Sequence, residues 1–256
     1  MSAPCLAPIL IAALLCAAPG TSAHAAPLRV SAASSLTEAF GEIAAVFERA
    51  HSGEKVELNF AGSQVLRAQI EQGAPVDVFA SADLAQMEPL VTAKLVQPAR
   101  VFAHNRLVAA ASSKSGAVRS LADLAKPGIR VVVADPTVPA GRYTTQLLGK
   151  MAASGLFGAD FPAAFEANVV SQETNVRVVL AKVSLGEADA GIVYRTDVGS
   201  AKQVTVLEIP EPMNVVATYP IAVVLGSASD DLATAFVELV LSEQGQAVLR
   251  KAGFEE

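Results

Sequence analysis

The chain has 256 residues, 25 acidic against 19 basic side chains, a formal net charge of −6 and 52% apolar residues. That balance argues against a nucleic-acid binder, whose affinity comes from clustered Lys and Arg, and the apolar fraction argues against disorder. Three His and two Cys leave little material for a metal site, and the length fits one large or two modest domains of ~100–200 residues.

The first 25 residues contain no Asp, Glu, Lys or Arg. Ile9 to Ala18 is an apolar stretch of ten, too short to cross a bilayer as a helix. Pro19 and Gly20 follow, then Ala23-His24-Ala25, a small-x-small pattern. Residues 1–25 therefore read as a secretory signal peptide cleaved near Ala25, although its n-region lacks Lys and Arg. The expected location is the periplasm. Cys5 and Cys16 both lie in this segment, so the mature chain has no thiol or disulfide and depends on a packed core. Cys16 follows Leu15, where a lipid-attachment signal has a small residue, so no lipid anchor is expected. No later segment reaches 18 unbroken apolar residues, and no second membrane segment is expected.

In the mature chain Leu28 to Ala33 reads as a strand. Ser35 and Glu38 then have the Ser-x-x-Glu spacing of a capping box, and Leu36, Phe40, Ile43, Ala44 and Phe47 repeat at helical spacing. Arg49 and His51 suit the negative end of that helix, and Gly53 closes it. Lys55 to Phe60 alternates as a strand; Ala61-Gly62-Ser63 turns into a second helix with Val65, Leu66 and Ile70. Val76 to Ala80 is a strand, and Ser81-Ala82-Asp83 opens a third helix. Strands alternating with helices imply a parallel sheet covered by helices.

Phe102 to Ala111 is a further apolar run, broken by His104-Asn105-Arg106, and Leu121 to Leu124 is a short helical piece. Ile129 to Ala134 reads as a strand, Asp135 to Gly141 as a loop, and a helix follows to about Ser154. Val169-Val170 is a short strand, and Glu173-Thr174-Asn175 leads into a helix bearing Val176, Val179, Leu180 and Val183. Ala190 to Tyr194, Val204 to Ile209 and Val215 to Leu225 read as strands, and Leu232 to Ala252 as one terminal helix. The layout predicts two α/β lobes joined by two crossings, near 101–110 and 204–220.

No Gly-x-Gly-x-x-Gly, P-loop or Gly-x-Ser-x-Gly motif occurs. His51 suits a helix end and His104 a buried or hinge position; a periplasmic hydrolase pairing His104 with Ser35 or Ser63 is the catalytic alternative. What remains is a set of helix starts with small or hydroxyl residues: Ser34-Ser35, Gly62-Ser63, Pro139-Ala140-Gly141 and Thr174-Asn175-Val176. Taken singly these are ordinary N-caps. Pointed at one cleft, their free N–H groups and positive dipole ends bind an anion without Lys or Arg.

At these residues the sequence resembles the periplasmic molybdate-binding proteins of ABC importers. The resemblance rests on Ala33-Ser34-Ser35-Leu36-Thr37, Phe60-Ala61-Gly62-Ser63, the run Gly73 to Asp83, Asp135-Pro136 with Val138-Pro139-Ala140-Gly141, Asn175-Val176-Arg177 and Gly191-Ile192-Val193-Tyr194. It implies the type II periplasmic binding-protein fold: two α/β lobes, 26–104 plus 213–256 and 105–212, with mixed, mostly parallel sheets, flanking helices and a two-strand hinge. It implies a binding protein and no enzyme, with molybdate or tungstate held in the interlobe cleft and passed to an ABC import permease. The contacts it implies are Ser35 and Ser63 through hydroxyl and N–H, Ala140 and Val176 through N–H, and Tyr194 through its phenol. Ser34 shares or replaces the role of Ser35. Gly62 stands where some relatives carry a serine. The metal of the oxyanion then has no direct protein ligand. No cofactor and no nucleic acid are expected, and the protein is expected to be a monomer. Donors alone suit an unprotonated oxyanion and disfavour hydrogen phosphate; sulfate passes this test and makes a sulfate receptor the alternative within the class.

Overall fold

A computed structural model describes residues 26–256; the expected export segment, with both cysteines, lies outside the described residues. The elements run β1 (Leu28–Ala33), α1 (Thr37–Ala50), β2 (Val56–Ala61), α2 (Ser63–Glu71), β3 (Val78–Ala80), α3 (Leu84–Thr92) and β4 (Arg100–Ser112). There follow β5 (Val131–Ala134), α4 (Pro139–Ser154), α5 (Phe161–Ala167), β6 (Val169–Glu173), α6 (Val176–Leu185) and β7 (Ala190–Tyr194). The chain ends with β8 (Val204–Glu208), β9 (Val216–Val223), α7 (Asp230–Leu241) and α8 (Glu243–Lys251). No helix among the described residues is long and apolar enough to cross a membrane.

The strands lie in the order β2-β1-β3-β9-β4-β7-β5-β6, with β8 added against β4. β1 runs parallel to β2 and β3, and β5 parallel to β6 and β7. β4 and β9 are antiparallel to their neighbours and join the two parallel groups. The sheet is thus mixed, and the fold is the expected two-lobed type II binding-protein architecture.

β4 changes partners along its length. Arg100 to Arg106 pairs with β9, whereas Leu107 onward pairs with β7 and Val108 onward with β8. At the changeover the side chain of Asn214 stands in for a strand. Its Oδ1 accepts the N–H of Leu107 at 3.1 Å, and its Nδ2 donates to the Leu107 carbonyl at 2.9 Å. Buried backbone groups are therefore paired even where the sheet switches from one lobe to the other.

The core of the first lobe follows from the helical repeat in α1. Ala39, Phe40, Ile43, Ala44 and Phe47 form its buried face. Phe40 and Phe47 both pack on Phe236 of α7, with ring centroids 6.0 and 5.4 Å apart, and Phe40 also meets Phe102 of β4. The second lobe closes over the β5 run Val131–Ala134, buried throughout, as a strand covered on both faces must be.

Several local expectations need correction. Ser35 and Glu38 form no capping box: Ser34–Leu36 is a 3-10 turn, Leu36 precedes α1 without a side-chain cap, and the Ser35 hydroxyl bonds elsewhere. The apolar run at Phe102 is not interrupted; His104-Asn105-Arg106 continue β4, because their backbones pair with Thr218, Ala217 and Val216. Pro139-Ala140-Gly141 belong to the first turn of α4, where proline needs no N–H partner. α5 had no expectation; its buried contacts are only Phe161 and Phe165, too few for a clear period. The terminal helix is two, because Ser242 is extended and its hydroxyl caps α8 at the N–H of Gly245.

Gly141 sets α4 directly against the end of β5. A Cβ there lies 2.1 Å from the Asp135 carbonyl oxygen and 2.4 Å from that of Ala134, so backbone has to move. Gly141→Ala is expected to lower the ligand-free melting temperature by roughly 3–10 °C, from an overpacking cost of about 1–3 kcal/mol; an unchanged melt contradicts this packing.

Candidate functional site

Five expected site residues occupy one kind of place. Ser35 lies in the turn after β1, Ser63 opens α2 after β2, Ala140 is in the first turn of α4 after β5, Val176 opens α6 after β6, and Tyr194 is the last residue of β7. All lie at the carboxyl ends of strands that run parallel to at least one neighbour, the edge of an open α/β sheet where ligands bind. The carboxyl edges of the two lobes face each other, and all five residues, with Ser34, line one pocket between them. The space between the lining atoms, including the part open to solvent, is about 200 Å³. None of its lining residues is Asp, Glu, Lys, Arg or His.

The donors are built by ordinary helix rules. Gly62 and Val138 precede α2 and α4 without a side-chain cap, which leaves first-turn N–H groups free. Asn175 caps α6 by accepting the N–H of Val178 at 3.1 Å, two residues beyond Val176, so the Val176 N–H does not donate to that cap. Each helix also directs the positive end of its dipole at the pocket. Ser63 Oγ accepts the N–H of Ala82 at 3.0 Å, which leaves the hydroxyl proton for the cleft. Tyr194 is 1% exposed and its phenol oxygen has no protein partner. Burial pushes its pKa well above the usual tyrosine range, so it remains a neutral donor. A buried hydroxyl without an acceptor costs free energy unless a ligand supplies one.

The rims of the pocket are tied across the cleft. Gln64 donates to the Thr174 carbonyl at 2.9 Å and Gln86 to that of Thr137 at 3.0 Å. Arg142 pairs with Asp83, and Arg177 pairs with Glu38 and donates to the Ser34 carbonyl at 3.3 Å. Burial raises the pKa of Asp83, and the Arg142 guanidinium opposes this. Asp197, fully buried behind Arg177 at 3.3 Å, is pushed up to about 7 by burial, against the opposing charge of Arg177. These contacts join the two lobes within four residues of the pocket lining, so the structure represents a closed cleft.

The residues that the resemblance implied all line the pocket, and the supports behind them went unseen. Asp83, Arg142 and Tyr219 look like a helix cap, a surface charge and a core aromatic, and nothing in their spacing distinguishes them from those roles. His104 lies apart, on β4, bonded to Thr218 Oγ1 at 3.3 Å and paired through its backbone with Glu255. It does not line the pocket that holds Ser35 and Ser63, and its side chain bonds Thr218 instead, so the hydrolase alternative has no assembled base.

Gly62 has a reason visible only in three dimensions. A Cβ there lies 2.5 Å from the carbonyl oxygen of Thr174 in the opposite lobe. Glycine lets the two lobes approach at this point. Gly62→Ala is expected to leave the ligand-free melt nearly unchanged and to weaken ligand binding about tenfold or more by obstructing closure; wild-type affinity by calorimetry contradicts this role.

The bacterial extracellular solute-binding protein family matches the chain over residues 28–255. The molybdate-binding protein ModA of Mycobacterium tuberculosis is 39% identical over 238 residues, covering 92% of this chain and 87% of the relative. The protein of the same name from Escherichia coli is 33% identical over 238 residues, covering 89% and 88%. The periplasmic molybdate-binding protein of Azotobacter vinelandii superposes with a TM-score of 0.77 at 24% identity, over 90% of this chain and 99% of that one, and shares the fold. A match over nearly the whole described chain, on a two-lobed fold with its pocket in the cleft, places this chain in the bacterial extracellular solute-binding protein family.

Proposed function

We propose that the protein is the extracytoplasmic receptor of an ABC importer, and that it captures molybdate or tungstate in the interlobe pocket. The observation that carries this reading is a lining that offers donors and no carboxylate, with the Asn175 amide oxygen already taken by the Val178 N–H: the hydroxyls of Ser35, Ser63 and Tyr194, with the helix-start N–H groups at Ala140 and Val176. Ser34 lines the same pocket and is a further candidate. The relatives named above are binding proteins for molybdate, which favours that anion within the class.

A tetrahedral dianion without a proton accepts from every direction, so each donor is matched and nothing is left over. Hydrogen phosphate brings a proton that meets no acceptor. Sulfate carries no proton but is smaller, and donors held by two lobes that have already met cannot follow it inward. In this reading the oxygens of the anion accept hydrogen bonds from these donors, and its metal has no protein ligand.

The moving lobes are residues 26–104 with 213–256 and residues 105–212, a division supported by the partner exchange of β4 at Arg106 and Leu107. A ligand favours closure only because the closed form completes its donor set. Closure then presents the loaded state to a membrane permease. The uncharged, apolar first 25 residues support export to the periplasm with cleavage near Ala25, and the protein acts as a monomer.

Thermal melting of the mature protein tests the reading. At about 1,000 times Kd a ligand stabilises by roughly 4 kcal/mol, a shift on the order of 8–16 °C. That shift is expected with molybdate and tungstate and not with sulfate or hydrogen phosphate; an equal sulfate shift makes the protein a general oxyanion receptor. Ser35→Ala and Ser63→Ala are each expected to weaken molybdate binding roughly 10- to 100-fold, one charge-assisted hydrogen bond. Full affinity in both variants removes the assignment.

A further inference from the structure

Four hydroxyl-bearing residues line the pocket, Ser34, Ser35, Ser63 and Tyr194, and a hydroxyl is by nature both donor and acceptor. Something must decide which it is. For Ser63 the backbone N–H of Ala82 does so, by occupying its oxygen. For Ser35 the partner is another hydroxyl, Tyr219 OH at 3.0 Å, which leaves the direction open until the next neighbour is considered.

That neighbour is Asn105, buried in the middle of β4 and 1% exposed. Its Oδ1 accepts the backbone N–H of Arg106 at 2.9 Å. A backbone N–H only donates, so this contact fixes which end of the amide is oxygen. Nδ2 therefore faces Thr196 Oγ1 at 2.8 Å and Tyr219 OH at 3.5 Å. An amide nitrogen only donates, so the tyrosine oxygen receives. Tyr219 then directs its single proton to Ser35 Oγ, and Ser35 is left to point its own proton at the cleft. Edge contacts from Phe102 and Phe254, with centroids 6.2 and 5.3 Å away, hold the Tyr219 ring in place.

We propose that Asn105 and Tyr219 are positioning residues that fix Ser35 as a donor, and that this polarity sets the preference for oxyanions carrying no proton. The proposal rests on the reading of the pocket as an oxyanion site and deepens it. Remove the Tyr219 hydroxyl and Ser35 rotates freely, so its oxygen can accept the proton of hydrogen phosphate.

The test measures Kd for molybdate and hydrogen phosphate at about pH 8.5, where both are dianions and only phosphate carries a proton. Tyr219→Phe keeps the ring and is expected to weaken molybdate about three- to tenfold, part of one charge-assisted bond. The ratio of the phosphate Kd to the molybdate Kd is expected to fall at least about threefold. Asn105→Asp is the second variant, and it carries the test if the first does not fold. Its carboxylate still accepts from Arg106 but now also accepts from Tyr219, which reverses the chain. The added charge repels both dianions alike, so the ratio is again expected to fall. If Ser35→Ala weakens molybdate while both variants keep the wild-type ratio, the proposal fails and the site reading stands. If Ser35→Ala binds molybdate fully, Ser35 is not in the site and the proposal falls with it.

Discussion

The structure turns on buried hydrogen-bond donors that have no acceptor in the protein. Tyr194 OH is the sharpest case, sealed from solvent between Tyr143 and Tyr219 with nothing to receive its proton. The uncapped starts of α2 and α4 extend the same condition to backbone groups. Folding normally avoids such groups because each costs about 1–3 kcal/mol when left unpaired. Here they cluster at the meeting edge of two lobes, where an anion can satisfy several at once. The cost is local, and the large apolar cores on either side sustain it.

From that constraint the rest of the architecture follows. Parallel strands put all their carboxyl ends, and hence the starts of the following helices, on one edge. Two such edges must face each other to surround a small ion, which requires a chain that crosses twice between lobes. β4 and the segment before β9 make the crossings, with Asn214 pairing the backbone where the sheet changes partners. Close approach then demands a small residue where the lobes meet, and Gly62 meets that demand, while Gly141 lets α4 pack against the end of β5 within the second lobe. The ties at Gln64, Gln86, Arg142 and Arg177 flank the pocket without entering it. Charge stays at the rim, where it holds the closed form, while neutral donors occupy the centre.

Much of this was readable from the residues. The alternation of strands and helices predicted α/β layers, and the helix starts at Ser63 and Val176 fall where spacing put them. Convergence was not readable, because N-cap residues look alike whether or not they share a cleft; only the family resemblance tied them together before the fold did. The Ser35–Glu38 capping box failed for the same reason in reverse: a local rule assigned the hydroxyl to its own helix, and a tertiary partner 184 positions away took it instead. Asn105 and Tyr219 were invisible because a buried polar residue in an apolar strand has no periodic signature. Ser242 escaped because a one-residue break between two amphipathic helices barely disturbs the helical period.

The central claim is that a donor-only pocket closes on an unprotonated oxyanion. Crystals of the mature protein grown with tungstate, measured at the tungsten absorption edge, test it most directly. The expected result is one strong anomalous peak between the lobes, with oxygens within hydrogen-bond distance of Ser35, Ser63, Tyr194 and the N–H groups of Ala140 and Val176, and no protein atom bonded to the metal. A peak outside this pocket, or a carboxylate facing the bound anion, contradicts it.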